Sequence, residues 1–560
     1  MNNSVKFMLN SLLQTVGLLD HMASEQKSYI DIIQNNDFKN NMQSMETQYQ
    51  ALTQRERHEF YFIINEEFGN DFSMLLYLYS LLLISIKKIE ILEIIVDAIC
   101  KGREDVFLNV FLELQIAAEI SNIKLNGAIY PLRRKLHSHN VNQFLELMNF
   151  SKEYIPYNQR NQNRIVVVAE QILSDKHAPT KVVLDQCRAL QNSMHMEVLL
   201  IVCPIHCNVT SNDLYWFHLQ NDNYLPSLNG NLRVVYENGS VTIHKENLDE
   251  DIIIHYKGCT IKAKQILFAK DSLIMFKNLI EAIYKYNPMF IYNMGSIHPL
   301  ADACSSFTTV VSCGMGYGYP VSEGQILLEY IPRSESEGNN INNILWNPYN
   351  QLIIKDIFNF NVEPPENPHS RTMYEIPEDK FVIAIVGNRL ENELTEEFIK
   401  YLSKVCLLDD RIAIVLIGSY PEYQKVFKNP IFKNRIHYMG YQNSFIDAIT
   451  VADIYLNPPR KGGGTSALIA LCAGVPVVTL PDCDVAGNVR NEFICKDMDC
   501  MLDMIQKYLV DKEYYNSQKQ IGIKYVAELT DIDSYMKTKI DKIKKAIEYL
   551  EGGKQYEDKL

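Results

Sequence analysis

The chain has no excess of positive charge. Its 54 Lys and Arg are outnumbered by 68 Asp and Glu, for a formal net charge of −14 over 560 residues. That balance excludes a nucleic-acid binder built on a broad basic face and confines any anion site to a local pocket. Long apolar runs are also missing. The most apolar stretch, FSMLLYLYSLLLISIKK at 72–88, is shorter than the roughly 20 residues needed to cross a bilayer. It reads as a buried helix, with no transmembrane segment expected; peripheral membrane contact stays open. The opening MNNSVKFMLNSLLQTVGLLDHMASEQ has a single Lys and a broken apolar run, unlike a secretory leader. The 12 cysteines lack paired spacing, so reduced thiols in a cytoplasmic protein are expected. Cys203, His206 and Cys207 form the one tight cluster, and no second half with metal-ligand spacing accompanies them.

Two nucleotide signatures are absent as well. No GxxxxGK[ST] occurs, and no GxGxxG follows the first strand of either α/β region, which weighs against ATPase and dehydrogenase readings. The acidic pair in LDD (408–410) lies on a helix-to-strand turn, so no DxD-like metal site is expected.

What is present divides into zones. Residues 1–152 carry apolar positions at helical spacing and almost no Gly or Pro before NGAIYPL, predicting an all-helical N-terminal domain. RIVVVAEQIL and MEVLLIVCPI are continuous apolar runs flanking an amphipathic helix. That is the pattern of buried parallel strands in a βαβ unit, and it places a first Rossmann-like domain at 153–350. An Asn- and Pro-rich segment at 351–374 reads as a linker. FVIAIVGN, RIAIVLIGS, RIHYMGY, DIYLNPP and VPVVTL then alternate with helices and predict a second Rossmann-like domain at 375–530, with a C-terminal helix at 531–560.

The stretch NPPRKGGGTSALIALCAGVPVVTL (457–480) concentrates chemistry. Three glycines leave the backbone bare and free to adopt positive φ. Thr465 and Ser466 offer hydroxyls for capping or ligand contact. A helix N-terminus supplies unpaired N–H groups and partial positive charge, and Arg460 and Lys461 add full charges. A tight strand-to-helix reversal would explain the glycines but not the cations, so the loop is read as a phosphate site. In an open parallel sheet it would lie at the carboxyl ends of the strands, where ligands bind.

The run HYMGYQNSFIDAITVADIYLNPPRKGGGTSALIALCAGVPVVTL resembles the donor half of GT-B glycosyltransferases, and FVIAIVGNRL resembles the first strand and loop of that half. The flavour is that of the O-GlcNAc-transferase-like enzymes and the bacterial cytoplasmic protein glucosyltransferases, which also place a helical domain before two Rossmann-like halves. The resemblance implies that Gly463, Gly464, Thr465 and Ser466 hold the donor diphosphate and that Arg389 points at the same phosphates. Lys461, with Arg460, would offset charge on the leaving nucleotide, and the backbone around Tyr438, Met439 and Gly440 would receive the base. It implies a nucleotide-sugar co-substrate, a UDP-hexose, with no metal or other cofactor. One departure stands out: Ile469 occupies the place of the acid that usually binds the donor ribose.

In the first half, SDKHAPTK (174–181) resembles the His-Pro-Thr loop of the O-GlcNAc-transferase-like group, with Ala178 inserted. His177 is therefore a candidate general base. His298 and Asp175 are further acceptor-side candidates, as is Glu170. The expected reaction is hexose transfer to a protein side chain or a saccharide. A catalytically silent relative that binds an acceptor or a partner enzyme is the alternative, supported by Ile469. A nucleotide-sugar epimerase is weaker, for want of paired carboxylates on the first-half strands.

Overall fold

The computed structural model describes residues 2–552 except 26–31, 33–34, 103–104, 123–124, 126–127, 171, 173–177, 206–230, 237–238, 245–250, 267, 269–271, 296, 316–319, 332–343, 358, 360, 388 and 461. Among the described residues, seven helices fill 3–148. The apolar run becomes the helix Phe72–Ile86, capped by the Asp71 side chain, with ten of its residues buried. Its helix-rich surroundings explain why no β-type alternation occurs there. No described helix is long and apolar enough to cross a membrane.

Sixteen strands follow among the described residues: β1 Asn161–Ala169, β2 Glu197–Val202, β3 Asn231–Tyr236, β4 Gly239–His244, β5 Asp251–Tyr256, β6 Cys259–Gln265, β7 Pro288–Met294, β8 Val310–Cys313, β9 Ile326–Tyr330, β10 Ile344–Trp346, β11 Leu352–Asp356, β12 Phe381–Val386, β13 Ile412–Ile417, β14 Ile436–Gly440, β15 Ile454–Leu456 and β16 Val477–Val478. The first sheet runs β10-β11-β9-β8-β7-β1-β2-β6-β5 and the second β14-β13-β12-β15-β16. The second is parallel throughout. The first is parallel except at its two edges, where β10 and β5 run antiparallel. Because Ile165–Ala169 of β1 and the whole of β7 and β13 are buried, these spans are almost wholly apolar in the sequence.

The segment read as a linker from residue 351 opens with β11, which pairs parallel with β9 inside the first sheet. Its flanking Asn and Pro residues obscured a strand that buries Leu352 and Ile354. Between β14 and β15 the chain forms only one α turn, Phe445–Ala448, followed by a 3-10 turn.

The helix Ile532–Gly552, last among the described residues, packs back on the first sheet. Lys539, almost fully buried, contacts Tyr292 and Tyr330 hydroxyls at 3.1 and 3.2 Å and the Asp356 carboxylate at 3.1 Å. Glu551 pairs with Arg160 at 2.5 Å. The opposite face of that sheet is covered by the N-terminal helices, through Phe107, Phe111 and Phe144 packed on Val166, Val168 and Ile291.

Candidate active site

The carboxyl edge of the second sheet is lined by glycine. Gly387 follows β12, Gly418 follows β13 and Gly440 ends β14, each linked to the next: Gly387 N–H donates to Ile417 O (3.0 Å) and Gly418 N–H to Gly440 O (2.8 Å). Gly418 has φ +127°, and a Cβ there would run into the Gly387 carbonyl. Sequence reading missed Gly387 and Gly418, although both follow apolar runs directly, in AIVG and VLIG.

β15 leads into the glycine loop and the helix Gly464–Cys472. Among the described residues no side chain caps that helix, and its N-cap is Gly463 at φ +104°. The expectation that Thr465 and Ser466 cap it is corrected: they stand in its first turn, and Ser466 Oγ donates back to Gly463 O at 3.0 Å. The three glycines have different reasons. Gly463 holds the left-handed conformation. Gly464 is buried, and a Cβ on it would meet the Asn488 side-chain amide, so it serves close helix packing. Gly462 is half-buried beside Arg389, whose Nη2 would lie 3.8 Å from a Cβ there.

The two arginines divide sharply. Arg389 and Glu393 flank a single helical turn, Leu390–Glu393. Leu390 and Leu394 anchor that turn in the core, and the four-residue spacing puts Arg389 and Glu393 on one face. The Arg389 side chain is 69% exposed, with Nε 3.9 Å from Glu393 Oε1. Arg460 is only 7% exposed, and all three of its nitrogens donate: Nη1 to Glu393 Oε2 (2.5 Å), Nε to Asn457 Oδ1 (2.9 Å) and Nη2 to the Tyr455 hydroxyl (2.8 Å). Arg460 is therefore a strut under the loop and not a free cation at its mouth, contrary to the sequence expectation. Adjacency in sequence does not reveal burial. Lys461, the second cation expected there, lies outside the described residues.

At β14, Tyr438 stacks on Tyr423 (5.0 Å, 28°) and its hydroxyl accepts from Tyr420 N–H at 3.1 Å. The Met439 carbonyl accepts from Gln442 Nε2 at 2.5 Å and the Gly440 carbonyl from Gly418 N–H at 2.8 Å. Tyr441, 60% exposed, follows at the same edge. Ile469 sits half-buried on the helix Gly464–Cys472.

In the first half, His177 and Asp175 lie outside the described residues, as do His206 and Cys207. His298 is described and its placement argues against a cleft base. It is buried, its Nε2 finds no hydrogen-bond partner among the described residues, and its ring fills the space a Cβ on Gly295 would need. Burial pushes it down to about 4, Asp302 opposing and His137 assisting. Glu170 directly follows β1, at a carboxyl strand end, and burial pushes its carboxyl up. Among the described residues no cluster of His, Cys, Asp or Glu could hold a metal ion.

Beside His298 lies a buried charged group joining the helical region to the first sheet. His137 Nδ1 meets Glu113 at 2.9 Å and its Nε2 meets Asp302 at 2.6 Å. Asn140 donates to Glu113 (2.8 Å) and Ser322 to Asp302 (2.5 Å). Burial alone would depress His137, but the two carboxylates outweigh it and hold the imidazole up at about 10.

Residues 380–511 match the family model described as Glycosyl transferases group 1. The matched span falls within the second α/β unit, which is therefore similar to that family over these residues. A structure of a mutant O-GlcNAc transferase from Thermobaculum terrenum superposes over 98% of this chain and 98% of its own at 12% identity and TM-score 0.51. Two further structures are matched at TM-score 0.41. Anabaena HepE in complex with UDP covers 69% of this chain and 100% of its own at 8% identity. The pneumococcal O-GlcNAc transferase GtfA in complex with UDP and GlcNAc covers 69% and 99% at 9% identity. A search of curated proteins finds no match. The chain has the GT-B fold behind a helical N-terminal region.

Proposed function

We propose that the chain is a glycosyltransferase that moves a hexose from a nucleotide diphosphate, UDP, to a protein side chain or a saccharide, without a metal. The observation that carries this reading is the uncapped N-terminus of Gly464–Cys472, opening from the carboxyl edge of a parallel sheet beside the exposed guanidinium of Arg389. Unpaired N–H groups, the helix dipole and one cation suit a diphosphate, and charge aimed beforehand at a departing diphosphate lowers the barrier to its release. Gly463, Thr465 and Ser466 belong to this site in the proposal, with Tyr438, Met439 and Gly440 at the base end. Lys461 is proposed to meet the developing charge, and His177, Asp175 or Glu170 to deprotonate the acceptor.

Ile469 favours a second reading, a silent protein that binds the nucleotide or an acceptor without turnover. Calorimetry with UDP, followed by UDP release from UDP-glucose and UDP-N-acetylglucosamine with and without acceptor mixtures, separates the two. Binding with acceptor-dependent release supports the enzyme; binding without release from any mixture supports the silent reading. Lys461→Ala should lower turnover by at least about a hundredfold with little change in melting temperature. Near-normal turnover would remove that residue from the chemistry.

A further inference from the structure

We propose that Glu393 is the positioning residue of the diphosphate site. One of its carboxylate oxygens locks the Arg460 strut, and the other sets the reach of Arg389 over the glycine loop. The proposal rests on the reading of that loop as the phosphate site.

The geometry behind it is specific. The Arg460 guanidinium lies beneath two glycine turns at once. A Cβ on Gly463 would stand 2.6 Å from Nη2, and a Cβ on Gly387 would stand 2.6 Å from both Nη1 and Glu393 Oε2. These turns begin and end the two loops that border the site, one after β12 and one before the helix Gly464–Cys472. Glu393 is 12% exposed and lies between a saturated arginine and an open one. Its contact with Arg460 is short and fully engaged, whereas Arg389 stands 3.9 Å away and mostly in solvent. A carboxylate beside a phosphate site costs anion affinity by repulsion, so its presence needs a compensating role. Restricting a flexible arginine to one orientation supplies that role, because less rotamer freedom is then lost when the ligand arrives.

The affinity ratio of UDP to UMP isolates the contact with the second phosphate. Titrations of the full chain would compare wild type, Arg389→Ala, Glu393→Gln and the double variant. Arg389→Ala should reduce the ratio by about tenfold, the loss expected for one charge-assisted hydrogen bond. Glu393→Gln should reduce it by about threefold to tenfold with UMP affinity nearly unchanged, should lower the melting temperature because the buried Arg460 loses its charged partner, and should add nothing to Arg389→Ala. A role that is only structural would weaken both nucleotides alike. A ratio that is unchanged or raised in Glu393→Gln, with Arg389→Ala still reduced, would overturn this inference alone. An unchanged ratio in Arg389→Ala would overturn the phosphate site and the inference together. If wild type binds no uridine nucleotide, the ADP–AMP and GDP–GMP pairs provide the same ratio. Should Glu393→Gln fail to fold, Glu393→Asp keeps the charge and withdraws it by one methylene. The ratio then falls if placement matters and holds if only charge does, the latter overturning the inference.

Discussion

The guanidinium of Arg460 lies directly beneath the left-handed turn at Gly463, 2.6 Å from where a Cβ would stand. The loop therefore tolerates only glycine at this position, for two independent reasons. A side chain at φ +104° costs about 1–3 kcal/mol in backbone strain, and it would push the strut away from Glu393 and Asn457. Gly463→Ala should lower stability by at least that amount and weaken UDP binding by about tenfold or more. Thermal unfolding and calorimetry on the same sample check both, and normal UDP affinity would separate this turn from the nucleotide site.

The triad of Glu113, His137 and Asp302 predicts a pH dependence of stability. His137 is held protonated by two carboxylates, so its folded-state pKa, about 10, lies above the unfolded value of roughly 6.5. The folded state binds the extra proton. The stabilisation is thus complete below the unfolded value and is lost as pH climbs through about 10. His298, Asn140 and Ser322 face the same group and do not reverse the sign. His137→Gln should cost about 3–5 kcal/mol near neutrality by leaving two buried carboxylates unpaired. The gap between wild type and variant, measured by urea unfolding from pH 6 to 10, should narrow as pH rises. A constant gap would mean that the imidazole is neutral throughout.

Much of the architecture was legible in the sequence because buried parallel strands must be continuously apolar. VVVA, FIYNM, VIAIV and AIVLI therefore stand out regardless of what surrounds them. β11 did not stand out, since LIIKD sits among Asn and Pro and owes its place to pairing with β9. The partnership of the C-terminal helix with the first sheet is likewise a long-range fact without a local sign. At the site, the glycine loop was recognisable from composition, yet the division of labour between Arg389 and Arg460 was not. Both are arginines beside a glycine, and only the fold exposes one and saturates the other. Glu393 had a usable signal, its four-residue spacing from Arg389, which gains meaning only once that stretch is known to be helical. His298 looked like a cleft residue because it follows a strand end. Its side chain turns inward under Gly295.

Glu170 is a described carboxylate at the carboxyl end of β1, and burial raises its pKa. A carboxylate acts as a base only when ionised. A rate that depends on it must therefore climb with pH through a midpoint above the ordinary value of about 4.3. Glu170→Gln should remove that limb and lower turnover by about 10²–10⁴-fold, the usual range for a general base, with UDP affinity retained. His177→Ala discriminates the alternative. If the imidazole is the base, the midpoint should lie close to 6.5, the histidine variant should lose the limb, and Glu170→Gln should keep it. Acceptor-saturated initial rates between pH 4.5 and 8.5 decide between the two, because only the variant lacking the true base becomes insensitive to pH over the acidic limb.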